Sequence, residues 1–334
     1  MKEKNKGFTL VELLAVIVIL ALIALIATPI ILNVINDAKK QAAKDSAYGY
    51  MDAVEKYIVS SELEDESIQD GIYSVEDLNS MGVSVKGSIP DNGTIKIENG
   101  SVKSYDIGID GYAVSNGEVK KVSTTKKINN GTAVYYNPVS KEKCKSSEAV
   151  STTGIKNGCM KWYVFNDKEG NATVNVILDH NTTANVAWNS TGSNSEMKEV
   201  KIKLEEDTKD WENTARLITA NEVAKITGNT DFDVSKENQP WFCLDTNQPD
   251  TTNWCAKTKG TSKYAWLFDY TKECTNHGCN TSDSSTWGYW TSTPNKGNST
   301  HAWFVNRFGI LDRLCVTNTE RGVRPVITIS KSNI

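Results

Sequence analysis

"KGFTLVELLAVIVILALIALIATPI", Lys6 to Ile30, places one carboxylate, Glu12, at the mouth of a long apolar run. From Leu13 to Asn36 no charged residue occurs. About 20 such residues span the hydrocarbon core of a bilayer as a helix. Lys2, Lys4 and Lys6 precede the run, the flank that positive-inside topology keeps cytoplasmic, so the rest of the chain is expected to face outward. A secretory signal has a shorter apolar region closed by an Ala-x-Ala-like site, and Ala15, Ala21, Ala24 and Ala27 do not form one. Glu12 separates the run from a plain anchor. A carboxylate in a spanning helix costs roughly 2.5–3.5 kcal/mol at the centre and less near an end, so it calls for a partner. The nearest basic residue, Lys6, lies six positions back and off its helix face, which leaves a partner from another molecule.

The order of residues here, a short basic leader ending in Gly7, then Phe8, Thr9, Leu10 and Glu12 ahead of an unbroken apolar run, resembles the prepilin N-terminus of type IV pilins and their pseudopilin relatives. The resemblance implies cleavage by a prepilin peptidase between Gly7 and Phe8, and N-methylation of Phe8. It also implies a role for Glu12 in setting subunit register, by pairing with the N-terminal amine of a neighbouring subunit. Pro29 falls where such pilins carry a helix-breaking proline, and a proline in a helix interior kinks or locally opens it. Beyond it, Ile31, Val34, Ile35, Ala38, Ala42, Tyr50, Val54, Tyr57 and Ile58 recur at helical spacing with charged residues between them. One helix over residues 8–60 is therefore expected, about 80 Å long at 1.5 Å per residue, its first half in the membrane and its second half amphipathic.

Residues 61–127 are expected to form a pilin-like head, entered through the acidic stretch "SSELEDESIQDG". "SVEDLNSMG" reads as a short helix with Ser74 as N-cap and Gly82 ending it. "GTIKIENGSVKSYDIGIDGYAVSNGEVKKV" alternates apolar and polar residues about Asn99-Gly100 and Asn116-Gly117, a meander of about four antiparallel strands. Ser123 to Thr132 reads as a linker to an accessory domain over residues 128–334. There "GTAVYYNPVS", "KWYVFND", "ATVNVILDH" and "KEVKIKL" read as strands, and "RLITANEVAKITG" as a strand leading into a helix capped by Thr219 and Glu222. Strands follow at "GYWTSTP", on both sides of a turn at Phe308-Gly309, and at Val323 to Ser330, with Trp287, Trp290 and Trp303 as core anchors. This order, over about residues 210–330, resembles the C-type-lectin-like fold used in the formylglycine-generating enzyme family. That family's reactive cysteine pair has no counterpart, nor do the Glu-Pro-Asn and Trp-Asn-Asp motifs of sugar-binding lectins. The expected fold class is α+β: a long helix on a small antiparallel sheet, then a mostly β domain.

All seven cysteines lie at or after Cys144, on the side expected to be outside, which suits disulfides. The local pairing is Cys144 with Cys159, Cys243 with Cys255 and Cys274 with Cys279, and it leaves Cys315 as a buried thiol; sequence alone does not fix it. His277 with Cys274 and Cys279 falls short of a structural zinc set, so no metal is expected. Asp179-His180 reads as a polar strand end, since no nucleophile motif accompanies it. The net charge of −4 gives no basic footprint for nucleic acid. No Walker loop and no dinucleotide fingerprint occur, so neither cofactor nor enzymatic activity is expected.

The leading expectation is a structural subunit of a type IV pilus-like filament, held in the cell membrane before assembly and displayed at the surface after it. Like subunits, a prepilin peptidase, a platform membrane protein and an assembly ATPase are the implied partners, with a host or surface ligand for the distal domain. A pseudopilin of a secretion or DNA-uptake machine and a membrane-anchored receptor or enzyme are the alternatives.

Overall fold

A computed structural model describes residues 9–63, 68–122, 126–149, 158–183, 185–245, 262–268 and 287–334. Helix α1 runs unbroken over Leu10–Leu63, 54 residues that include Pro29. Its second half buries one stripe, Ala43, Ala47, the adjacent Tyr50 and Met51, Val54 and Ile58, at successive turns three or four residues apart. The small Ala43 and Ala47 let the helix lie close to the sheet, and the larger residues fill the space beyond. Tyr50 is wholly buried and its hydroxyl donates to Asn79 Oδ1 at 2.7 Å. Burial raises its pKa well above the usual phenol range.

The sheet under this stripe has five antiparallel strands in the order β1 (Gly71–Ser74), β2 (Asn92–Glu98), β3 (Ser101–Ile109), β4 (Tyr112–Ser115) and β5 (Glu118–Lys121). One more strand is present than the alternation predicts: β1 lies ahead of the alternating stretch, just before α2, and pairs back onto β2. Asn99-Gly100 and Asn116-Gly117 both take positive φ at their turns, as a tight right-twisted hairpin requires. Helix α2 (Val75–Met81) begins with a reciprocal cap between Ser74 and Asp77 and ends at Gly82. Ile95, Ile97, Tyr105, Ile107, Ile109 and Val114 face α1 and close the head core.

The distal region holds two more antiparallel sheets. One orders β14 (Val326–Ser330), β9 (Thr173–Leu178), β8 (Met160–Phe165), β6 (Ala133–Asn137) and β7 (Glu142–Lys143); the other orders β10 (Phe242–Cys243), β13 (Ile310–Cys315), β12 (His301–Asn306) and β11 (Gly288–Pro294). Short helices α3 (Ser146–Ala149), α4 (Glu199–Asp207), α5 (Ala220–Thr227) and α6 (Ala265–Phe268) connect them. The chain is thus α+β, a long N-terminal helix with antiparallel sheets and a mostly β distal region. Trp290 and Trp303 are buried in two separate apolar clusters, whereas Trp287 is half-buried beneath the Arg307 guanidinium at 3.9 Å.

Two segments differ from their sequence reading. "KEVKIKL" is helical, as α4: Val200 and Leu204 are buried while Ile202, between them, is 50 % exposed, so the alternation of three apolar residues serves a period of four. Lys203 reaches Glu206 and Asp207 one turn on, pairs that only a helix brings together. Arg216 to Ile218 contributes no strand but a single bridge to Val326. The expected helix follows as α5, with the Thr219–Glu222 capping box formed and Glu222 also held by both terminal nitrogens of buried Arg216.

The distal region packs on the head sheet's other face through polar contacts. Thr94 and Thr328 hydroxyls meet at 2.9 Å, Ser104 and Thr214 at 2.9 Å, and Asn92 Nδ2 donates to the Thr173 carbonyl at 3.0 Å. Asp106 accepts from Ser115 Oγ at 2.6 Å and from the Thr214 amide at 3.1 Å. A Cβ on Gly108 would lie 2.6 Å from Thr173 Oγ1, so this approach of β3 to β9 admits no side chain. The expected linker is fastened over its described part: Ile128 N–H donates to Asp167, the Gly131 N–H to the Val164 carbonyl, and Lys331, fully buried, pairs with Asp167 at 2.9 Å while donating to the Lys126 carbonyl.

Candidate assembly site

Thr9 precedes the first residue of α1 and Glu12 is its third helical residue. Four orphan N–H groups open any helix, and a Thr-x-x-Glu sequence satisfies some of them reciprocally. That arrangement is present. The Glu12 carboxylate accepts from the Thr9 N–H at 2.8 Å and from Thr9 Oγ1 at 2.8 Å, and the Thr9 hydroxyl accepts from the Glu12 N–H at 3.3 Å. No ion pair to Glu12 occurs among the described residues. Its acceptors are thus turned back onto its own helix end, where a negative charge also complements the helix dipole. The "TLVE" spelling of a capping box is readable in the sequence.

Gly7 and Phe8 lie outside the described residues. The helix they lead into is apolar on every side and none of the described residues covers it: Leu10 is 81 % exposed, Ile26 67 % and Ile35 43 %. It is long and apolar enough to cross a membrane. At Pro29 the ring removes one backbone donor. The neighbouring Thr28 hydroxyl donates to the Ala24 carbonyl at 2.6 Å, and the helix continues on both sides.

The other sequence-singled residues stand apart from this end of the molecule. Cys144 and Cys159 form a disulfide, S–S 1.98 Å. Glu148 lies beside them, and since both sulfurs are bonded to each other they offer no thiolate to a metal. Cys243 is disulfide-bonded, its other half outside the described residues, as are Cys255, Cys274, Cys279 and His277. Cys315 is free and exposed, not buried. On its face of β13 the buried Leu311 is followed by half-buried Arg313 and then Cys315, so the hairpin runs off the edge of the core. Asp179 and His180 lie side by side, both buried just past β9, with His180 Nδ1 hydrogen-bonded to Asp179.

The prokaryotic N-terminal methylation motif matches residues 2–28, the stretch containing Gly7, Phe8 and Glu12. The chain therefore has the N-terminus of a pilin-like protein, consistent with membrane anchoring and surface display. Residues 193–331 match a domain of unknown function, DUF6273. No curated protein and no solved structure matches the chain, and the likeness of the distal region to a C-type-lectin-like fold gains no support from these comparisons.

Proposed function

We propose that this chain is a structural subunit of a type IV pilus-like surface filament. A prepilin peptidase cuts between Gly7 and Phe8, the new amine at Phe8 is methylated, and subunits polymerise through the uncovered half of α1. The distal region is carried outward for adhesion or display and has no catalytic task. One observation carries the reading: α1 buries its second half in its own head and leaves the apolar half, with Glu12 at its tip, uncovered. Among assembled helices, Glu12 exchanges part of its Thr9 bonding for the amine of a neighbouring subunit. A carboxylate withdrawn from water is tolerated when so neutralised, and only a correctly staggered neighbour supplies the amine.

Mass spectrometry of the first peptide from sheared surface material tests this, in wild type and in Glu12→Ala. A start at N-methylated Phe8, with the variant cut normally but missing from the sheared fraction, is expected. Mature protein that stays wholly in the membrane fraction favours the pseudopilin reading. An intact Met1 in wild type overturns both.

A further inference from the structure

We propose that the distal region closes an internal amide bond between the ε-amine of Lys331 and the carboxyl of Asp167, a covalent crosslink made by the chain itself. Lys331 follows β14 and Asp167 lies just past β8. The two strands end on either side of the start of β9, Ser330 opposite Thr173 and Phe165 opposite Asn175. From Lys331 Nζ to Asp167 Oδ2 the distance is 2.9 Å, and neither side chain has any exposed surface. Lysine and aspartate are seldom buried so completely, and then only with a partner.

The surroundings fit an amide better than an ion pair. Asp167 Oδ2 also accepts the Ile128 N–H at 2.7 Å, whereas Oδ1, equally buried, has no hydrogen-bond donor among the described residues. A bare oxygen in the interior is costly, and more so on a charged group. The buried Arg216–Glu222 pair shows the contrast, since each oxygen of Glu222 accepts from a guanidinium nitrogen, at 2.5 and 2.7 Å. A guanidinium stays protonated and cannot act as a nucleophile, but a lysine amine can. The amide keeps Oδ2 as its carbonyl oxygen, still bonded to Ile128, and discards Oδ1. Its N–H keeps one of the two carbonyls that Lys331 Nζ meets, those of Lys126 and Lys168, both at 3.2 Å.

The step is a condensation. The ammonium gives one proton to the carboxylate, which leaves a neutral amine beside a neutral acid; charges withdrawn from water tend to neutralise in this way. The nitrogen lone pair attacks Cγ, the N–Cγ bond forms and the Cγ–Oδ1 bond breaks. Nitrogen sheds a second proton, both protons end on Oδ1, and it departs as water. The balance is one water lost, with no oxidant, reductant or cofactor. Groups held together in alignment react as if at about 10⁵–10⁸ M. Burial also protects the product, because hydrolysis needs water where neither side chain meets any.

The position gives the bond a use. It closes a loop over residues 168–330, and it lies against the segment by which the distal region joins the head, since Lys126 and Ile128 are its hydrogen-bonding neighbours. Closing a long loop restricts the unfolded chain and so favours the folded one. Tension on a displayed distal region enters through that joining segment, where the crosslink holds the end of β14 to the end of β8. The bond rests on the geometry of the distal region, and only its use under tension rests on the filament reading.

The test is mass spectrometry of full-length protein after denaturation, reduction and proteolytic digestion. In wild type the peptide holding Asp167 should be joined to the one holding Lys331, lighter than their sum by one water. Asp167→Ala and Lys331→Arg should each give the two peptides apart; the arginine keeps the charge and removes the nucleophile. Wild type decides the matter even where a variant fails to fold: separate peptides at full mass overturn the proposal and leave a buried ion pair. A joined peptide that persists in either variant overturns it as well. The two readings fail separately: Glu12→Ala should carry the crosslink while missing from the sheared fraction, and sheared wild-type subunits with both peptides free would sink the crosslink alone.

Discussion

The two halves of α1 share one helix and meet opposite fates. Between Ala43 and Ile58 the apolar residues form a stripe, the polar ones lie outside it, and the head sheet covers the stripe. Between Leu10 and Ile35 there is no polar face, and none of the described residues covers any side. A helix with a stripe states where its partner lies, whereas a helix apolar all round states only that it is not meant for water. On the proposed reading the partner of the first half is lipid or other copies, and Glu12 is the one charged residue between Leu10 and Ile35.

The contrast is broken most severely at Glu12. Glu12→Ala should cut the subunit recovered in sheared filaments at least about tenfold, the effect of losing some 1.4 kcal/mol of pairing, and leave the melting of the head unchanged. Equal recovery of variant and wild type would make Glu12 a helix cap and nothing more. The second half should respond in the reverse sense. Ile58→Ala removes a side chain that is 1 % exposed and should cost about 2–5 kcal/mol of head stability. Ile23→Ala, at a site 58 % exposed, should stay within about 0.5 kcal/mol by thermal melting in detergent.

What the sequence disclosed follows the same division. Glu12, the covered stripe, the cap at Ser74 and the Asn-Gly turns are local patterns, and each was legible. "KEVKIKL" misled because alternation over three apolar residues fits a strand as well as a charged helix; the pairing of Lys203 with Glu206 and Asp207 was the readable sign of the helix. The outer face of the head sheet could not be read. Thr94, Ser104 and Asp106 alternate with core residues as solvent-facing positions do, yet they are covered by a domain beginning some tens of residues later.

That polar face sharpens the comparison, because the head is covered on both sides by its own chain through opposite chemistry. Asp106→Ala deletes the acceptor of Ser115, the Thr214 amide and Lys141 in one step. A buried polar group left unpaired costs about 1–3 kcal/mol, so the expected loss is of that size and falls on the junction. Faster cleavage at the head–distal junction in limited proteolysis, with the head core retained, is the expected pattern. Uniform destabilisation would mean that head and distal region share one cooperative unit.

The smallest effect is one of pH, and it reports the same junction. Asp77 caps α2 in the head, and its pKa is raised above 3.8, first by burial and next by the charge of Glu222, a residue of the distal region; Ser74 and Arg216 act in the lowering direction. With the folded pKa above the unfolded one, the native state holds this proton more tightly, so the term weakens stability as pH rises from about 4 through the raised value and is constant beyond it. Asp77→Asn keeps the shape and removes the term. The stability of the variant relative to wild type should therefore increase with pH across that window, measured by melting full-length protein from pH 4 to 7. If the difference stays constant, Asp77 is hydrated in solution, and the distal region does not rest on α2 as tightly as Lys225 bound to Glu76 at 2.5 Å requires.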